Sequence, residues 1–208
     1  MEVHRRRICL GWNLAQHRVQ LQAGQRGVSD HGFFSGDKKE DRVRTEVCGV
    51  CGQTAQVVRR NYEFREMGIP VELVRIQVIE CSHCGNADPI IPNLDGLMHT
   101  IASAVVCHPF RLTGGEVRFL RKFVNKSAVE FSRYLDLDPT SLSRIENDRT
   151  PIGNGTDKLI RLVVVNMDQR LSEDIKQLME LMPNINDACT QDRPGIHIDP
   201  SLLDIQPV

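Results

Sequence analysis

The spacing of apolar residues changes along this chain and separates a β-rich part from a helical part. Between residues 46 and 92, Val74, Ile76 and Val78 alternate with polar residues, which predicts a strand with one covered face. From Leu94 onward, apolar residues recur every three or four positions, as is typical of amphipathic helices. The pattern therefore predicts an α+β protein in which a small β-rich part precedes an all-helical part.

Capping residues indicate where the helices begin. Ser127 is followed three positions later by Glu130, which is the spacing of a capping box, and Pro139 suits the first turn of the next helix. The first helix is expected to break near His108-Pro109. The predicted helices begin near Asn93, Thr113, Ser127, Pro139 and Asn154 or Thr156, and a further helix is marked by Leu171, Ile175, Leu178 and Met182.

The first 45 residues follow neither pattern. They are rich in Arg, Gln, Gly and His without a sustained apolar period, so we expect a disordered extension. Its basic start, Arg5-Arg6-Arg7, is typical of a solvated tail or of an arm that binds nucleic acid. An alternative is that translation begins at Val43 and that this segment is not part of the native protein.

The predicted organisation has five parts. They are a disordered extension (1–45), a β-rich domain (46–92), a linker helix (93–110), a helical domain (111–169), and a C-terminal helix with an extended tail (170–208).

Composition narrows the class of protein. The chain has 208 residues and a net charge of −1, so it has no global field that attracts nucleic acid and any basic patch must be local. The longest apolar stretch, at 159–165, is too short to span a bilayer, and no secretory signal is visible. Seven cysteines in such a chain favour a reducing compartment and metal binding, so we expect a cytoplasmic protein without a membrane partner.

Four of the cysteines form two CxxC motifs. Cys48 and Cys51 lie in C-G-V-C-G, and Cys81 and Cys84 lie in C-S-H-C-G. Two residues between cysteines allow both thiolates of a tight turn to bind the same ion, and the following glycine allows the turn to finish. Two such turns predict one structural Zn²⁺ with four thiolate ligands, and the alternatives are a redox dithiol pair or ordinary turns. The remaining thiols, Cys9, Cys107 and Cys189, are expected to be buried or incidental.

A second motif consists of two short helices joined by a tight turn. The segment from Ser127 to Leu135 is followed by one from Pro139 to Asn147, which together predict a helix-turn-helix. In the second helix, Leu142 and Ile145 face inward. The outward residues suit a recognition helix in the major groove, and they are Thr140, Ser141, Ser143, Arg144 and Asn147. A plain helical bundle with a polar surface is the alternative.

Basic residues around this motif favour DNA modestly. Residues 111–170 carry a small excess of Lys and Arg over Asp and Glu. Candidate phosphate contacts are Arg118, Arg121, Lys122, Lys126, Arg133 and Arg149, together with Ser127 at the start of the first helix of the motif.

These motifs together resemble the MqsA/YgiT antitoxin family, whose members join a CxxC…CxxC zinc domain to a C-terminal helix-turn-helix of the λ-repressor/Cro type. The resemblance covers residues 46–167. It includes L-T-G-G-E-V-R-F-L-R-K (112–122), S-R-I-E-N (143–147) and I-P-N-L-D (91–95). The family's base-reading positions match Thr140, where its namesake carries Asn, and Arg144. The sequence departs from the family at Ala128, where Gln is frequent, and at Asn147-Asp148, where Gly is usual.

The resemblance implies a zinc ribbon, a homodimer, a roughly palindromic double-stranded operator and a toxin protein as a partner. The function that we predict is therefore a sequence-specific DNA-binding repressor, and the resemblance implies the antitoxin of a toxin–antitoxin pair. The alternative is a zinc-ribbon module that binds a protein or RNA, with a helical scaffold and no specific DNA target. No nucleophile–base pair, phosphate loop or open metal position is visible in the sequence, so we do not expect an enzyme.

Overall fold

The computed structural model describes residues 44–65, 67–185 and 195–199. Except for Arg44 and Thr45, the predicted disordered extension lies outside these residues, as do Cys9, Cys189 and most of the predicted C-terminal tail. The described chain is α+β, which confirms the predicted class. Its sheet is formed by β1 (Thr45–Val47), β2 (Thr54–Phe64), β3 (Val71–Glu80), β4 (Ala87–Pro89) and β5 (Ile196–Ile198).

The first four strands form an antiparallel sheet in chain order, and β5 joins it in parallel with β3. The fifth strand lies in the region expected to be an extended tail. Its residues Ile196 and Ile198 are opposite Val71 and Leu73, and Ile198 is buried. Within this region the structure describes residues 195–199, and Ile196–Ile198 are paired with the sheet.

An irregularity in the central hairpin adjusts which side chains of β3 face the core. The register shifts between Arg60 and Tyr62, and Arg75 adopts a φ of 54°. The side chain of Asn61 accepts a hydrogen bond from the backbone N–H of Arg75 at 3.0 Å. Because of this bulge, the alternation restarts. The residues of β3 buried against the helices are Val71, Leu73, Ile76 and Val78, while Val74 is only partly buried.

In the described part of the chain, six helices lie between β4 and β5 in sequence. They are α1 (Leu94–Cys107), α2 (Gly114–Phe123), α3 (Ala128–Tyr134), α4 (Pro139–Glu146), α5 (Asn154–Met167) and α6 (Ile175–Leu181), and a 3-10 turn at Leu171–Asp174 leads into α6.

Local capping explains why these helices begin where they do. Asn93 accepts a hydrogen bond from the N–H of Gly96, and Thr113 and Glu116 form a complete capping box at the start of α2. The fifth helix is different, because Gly153 precedes it and provides no side-chain cap.

The apolar core is continuous between the sheet and the helices. Leu73 and Val78 of the sheet belong to the same buried cluster as Ile101 of α1, Leu142 of α4 and Val164 of α5. The first helix contributes a fully buried stripe and thus belongs to the core. A separate small cluster surrounds Cys48 and Cys81 at the end of the sheet.

Candidate functional site

The four cysteines of the CxxC motifs meet at one end of the sheet. Cys48 and Cys51 lie in the turn between β1 and β2, and Cys81 and Cys84 lie in the turn between β3 and β4. Their Sγ atoms all lie within 4.8 Å of one another. Across the two turns, the Cys48 and Cys84 sulfurs are 3.6 Å apart and the Cys51 and Cys81 sulfurs are 3.5 Å apart.

The two turns have the same backbone design. The N–H of Gly52 donates to the carbonyl of Cys48 at 2.9 Å, and the N–H of Gly85 donates to that of Cys81 at 2.9 Å. Both glycines adopt positive φ values, 73° and 74°, which residues with a Cβ rarely do. The glycines that follow each motif thus bring the two thiols of each turn to the same side.

Backbone N–H groups stabilise two of the four thiolates. The pKa of Cys48 is lowered to about 6, first by the N–H of Cys51 and then by that of Val50. The pKa of Cys81 is lowered mainly by the N–H of Cys84. Such hydrogen bonds favour the charged form of a thiol, which is the form that binds metals.

The other two thiols are held in the neutral form when no cation is present. For Cys51 the N–H of Gln53 favours the thiolate, but burial and the neighbouring sulfurs outweigh it and raise the pKa to about 12. For Cys84 the N–H of Asn86 lowers the pKa, but burial and the sulfurs of Cys48 and Cys81 outweigh this effect and the pKa is raised. A cation at the centre of the cluster would offset the repulsion among the four sulfurs.

The donor set fits a single metal ion. A tetrahedral site with metal–sulfur bonds of about 2.3 Å has sulfur–sulfur edges of about 3.8 Å, close to the distances between these thiols. Four thiolates complete such a site and leave no position for water or substrate. The fifth thiol in the described part of the chain, Cys107, is buried in α1, and its pKa is raised to about 12 by burial.

The second candidate site is the pair α3 and α4. The side chain of Ser127 caps α3 and accepts from the N–H of Glu130, while that of Asp138 caps α4 and accepts from the N–H of Ser141 at 3.0 Å. Asp136, in the connection between them, has a φ of 51°. The inward residues of α4, Leu142 and Ile145, are buried as the sequence predicts.

Three of the predicted base-reading residues are exposed on the outer face of α4: Thr140, Ser143 and Arg144. Within the described part of the chain, the guanidinium of Arg144 has no hydrogen-bond or ion-pair partner in the protein. An exposed arginine without such partners can extend toward a groove without breaking an internal bond.

The other two predicted base-reading residues support the helix. The hydroxyl of Ser141 donates to the carboxylate of Asp138. Asn147 donates through Nδ2 to the carbonyl of Ser143 at 2.7 Å and accepts through Oδ1 from Arg118 at 2.6 Å. Both side chains are therefore committed to internal bonds at the two ends of α4.

The predicted phosphate contacts also divide into engaged and available side chains. Arg121 donates to both carboxylate oxygens of Glu146, at 2.6 and 2.9 Å, and it is mostly buried. Arg121 thus connects α2 to α4 through an ion pair. Arg149 is exposed just after α4, Lys126 is half-buried before α3, and the hydroxyl of Ser127 is bonded to Glu130.

The sequence alone did not identify the acidic partner of Arg121. Glu146 is a charged residue in a helix whose outer face is exposed, yet it is buried and paired with Arg121 across 25 positions of sequence. In the sequence, the only indication of this role is that Glu146 directly follows the inward residue Ile145 at the end of α4. The pair fixes α4 against α2, because a buried carboxylate must keep its cation.

Comparisons with family models, with curated proteins and with solved structures returned no match. Within the part of the chain that the structure describes, no helix combines the length and the apolar character needed to cross a bilayer.

Proposed function

We propose that this protein is a sequence-specific DNA-binding transcriptional regulator with one structural zinc ion. In this proposal α3 and α4 form a helix-turn-helix, and α4 is the recognition helix that enters the major groove. The observation that carries the proposal is the hydrogen bonding of α4. Both of its ends are tied to the protein, at Asp138 and at Asn147. Arg144 extends from its exposed face and has no partner among the residues that the structure describes.

The resemblance to the MqsA/YgiT family supports the same reading. One departure from that family has a structural explanation, because Asp148, near the usual glycine, adopts the left-handed backbone with a φ of 53°. Asp and Asn tolerate that conformation better than other residues with a Cβ. By the same resemblance, the protein would act as a homodimer. Its two recognition helices would then lie about 34 Å apart on a roughly palindromic operator.

Zinc is the metal that the cysteine cluster favours, and the β-rich part would then be a zinc ribbon. Four thiolates in a tetrahedral arrangement are typical of structural zinc sites, and such a closed site stabilises the fold and leaves the ion no catalytic role. Cys48, Cys51, Cys81 and Cys84 would hold it.

A gel shift with the promoter of the gene itself tests the DNA-binding proposal. Wild-type protein is expected to bind that promoter more tightly than unrelated DNA at moderate salt. Arg144→Ala is expected to lose about 1–3 kcal/mol of specific binding, because a bidentate contact to guanine is lost. The matched control is Arg59→Ala, which removes an exposed arginine from β2. Absence of specific binding, or equal behaviour of both variants, would refute the proposal.

One observation favours a second function, the binding of a protein partner by the β-rich part. Val47 and Val50 flank Cys48 and are 70% and 71% exposed, so two apolar side chains lie beside the metal cluster in open solvent. An antitoxin would use such a surface for its toxin. Co-purification with the product of a neighbouring gene, lost in a Val47→Ser/Val50→Ser variant, would support this function.

A further inference from the structure

The N-terminus of α2 is a junction between the sheet and the proposed recognition helix. It carries two consecutive glycines, Gly114 and Gly115, and each allows a close approach to a different part of the protein. Together they place α2 directly between the β2–β3 turn and the C-terminal end of α4.

Gly114 contacts the end of α4. A Cβ atom added at this position would lie 2.3 Å from the carbonyl oxygen of Ile145, a separation that side chains do not adopt. The N–H of Gly114 donates to the carboxylate of Asp148 at 2.7 Å. The last turn of α4 is thus held against the first turn of α2 by a backbone contact and by a hydrogen bond.

Gly115 contacts the sheet. A Cβ atom added there would lie 2.8 Å from the carbonyl oxygen of Gly68, in the turn between β2 and β3. Gly68 has a φ of 79°, so the shape of this turn also requires glycine. The next residue, Ile69, is buried in the shared core, which anchors the turn against the helices.

The first turn of α2 has little freedom to absorb a displacement. Glu116 is buried, accepts from the N–H of Thr113 at 2.8 Å, and lies 3.3 Å from the imidazole of His108 at the end of α1. Close-packed interiors transmit displacements because few voids can take them up. A shift of the β2–β3 turn is therefore passed on to α2 and from α2 to the end of α4.

We propose that Gly115 is a positioning residue for DNA recognition, through which the β2–β3 turn sets the position of α4. The inference rests on the proposed function, since its effect is on the placement of Arg144. Base reading requires hydrogen-bond geometry, and a misplacement of about 1 Å weakens a site whose parts are all present.

The test compares Gly115→Ala with Gly155→Ala in the full chain. Gly155 lies in the first turn of α5 and has no atom within 4 Å of an added Cβ, so its substitution is a matched control. Gly115→Ala is expected to weaken operator binding about tenfold, the scale of energetic coupling between distant sites. Its backbone amide resonances from Ser143 to Asp148 should also shift, although no substituted atom touches them. Gly155→Ala should leave both properties unchanged.

Outcomes that overturn the inference differ from those that overturn the proposed function. If wild-type protein binds no specific DNA, the proposed function fails, while the amide resonances still decide whether the turn positions α4. If Gly115→Ala is folded and its α4 resonances match those of Gly155→Ala, the inference is wrong. Should Gly115→Ala fail to fold, Ile69→Val provides a milder change on the turn, and unchanged α4 resonances in that variant would also overturn it.

Discussion

Arg161 and Asp157 form an ion pair in which neither side chain has any exposed surface, with Nε of Arg161 2.7 Å from Oδ1 of Asp157. The guanidinium also donates to the carbonyls of Val106 and His108, both at 2.7 Å, and to that of Phe110. Asp157 accepts the N–H of Leu112 at 2.6 Å. Two side chains from one turn of α5 thus form hydrogen bonds with backbone groups at the end of α1 and in the segment just before α2.

Removing the cation from this pair is expected to be strongly destabilising. Arg161→Met leaves Asp157 buried without its partner and orphans several carbonyls, so the free energy of unfolding should fall by about 3–5 kcal/mol. The control is Arg170→Met, which breaks the exposed pair with Asp95 at 2.7 Å and should cost less than about 1 kcal/mol. Urea denaturation followed by circular dichroism measures both, and equal losses would contradict the assigned role of Arg161.

Loss of one cysteine of the cluster is expected to affect the helices as well as the sheet. Cys84→Ser removes one ligand of the proposed metal site. Because sheet and helices share one core, the helices should then melt at a lower temperature. Cys107→Ala is the matched control, since it removes a buried thiol outside the cluster and should retain the metal. Metal analysis and thermal circular dichroism provide the readouts. Unchanged melting of the helices in metal-free Cys84→Ser protein would show that the two parts fold independently.

Metal binding is expected to release protons and to weaken as the pH falls. The pKa values of Cys51 and Cys84 are raised in the metal-free cluster, so near neutral pH these thiols carry protons that a metal must displace. Titrating zinc into metal-free protein in a weak buffer should therefore acidify the solution. Affinity should rise with pH until both thiols ionise. No acidification, or an affinity independent of pH, would contradict the assigned thiol chemistry.

The stability of the helical part is expected to fall in mild acid because of His99. Burial lowers the pKa of its imidazole below the usual 6.5, against the opposing effect of Asp168. The ring packs edge-on to Phe123, and its Nδ1 lies 3.6 Å from Asp168, too far for a good hydrogen bond. The unfolded chain then binds more protons than the folded one between the two pKa values. The free energy of unfolding should therefore fall as the pH drops below about 6.5.

His99→Phe keeps an aromatic ring against Phe123 and removes the titrating group, so the slope of stability against pH should flatten between about pH 7 and pH 5. Met98→Leu, which replaces a neighbouring apolar side chain that does not titrate, is the control and should keep the wild-type slope. Measuring the free energy of unfolding across this range decides the question. A wild-type slope in His99→Phe would assign the acid sensitivity to another group.

Features set by neighbouring residues could be predicted from the sequence. Asn93, Thr113 and Ser127 cap the helices at which they were placed, because a cap and its N–H partner lie within three positions. The inward and outward faces of α4 follow from helical periodicity in the same way. The four cysteines were also recognisable, because each CxxC turn is complete within a few residues and only the pairing of the two turns depends on the fold.

Features that depend on distant partners could not be predicted. In the sequence, Arg121 and Asn147 resemble exposed polar residues that contact DNA. In the structure, each is bonded to a side chain of another helix. His197 also has a distant partner, because its imidazole pairs with Glu72, 125 positions earlier in the sequence. The strand that carries His197 pairs with β3, which is equally distant. These pairs form only when distant segments pack together in the folded core, so the local sequence pattern does not indicate them.

The parallel strand β5 has a consequence for the order in which the protein forms during synthesis. Strands β1 to β4 and both cysteine turns are complete once Pro89 has been made, whereas Ile196–Ile198 are added more than a hundred residues later. Because pairing across such a separation is slow, the end of the sheet that carries the cysteine cluster can assemble on the ribosome well before the edge of β3 at Val71–Leu73 receives its partner. Until then, this edge offers its backbone groups to any other extended chain nearby.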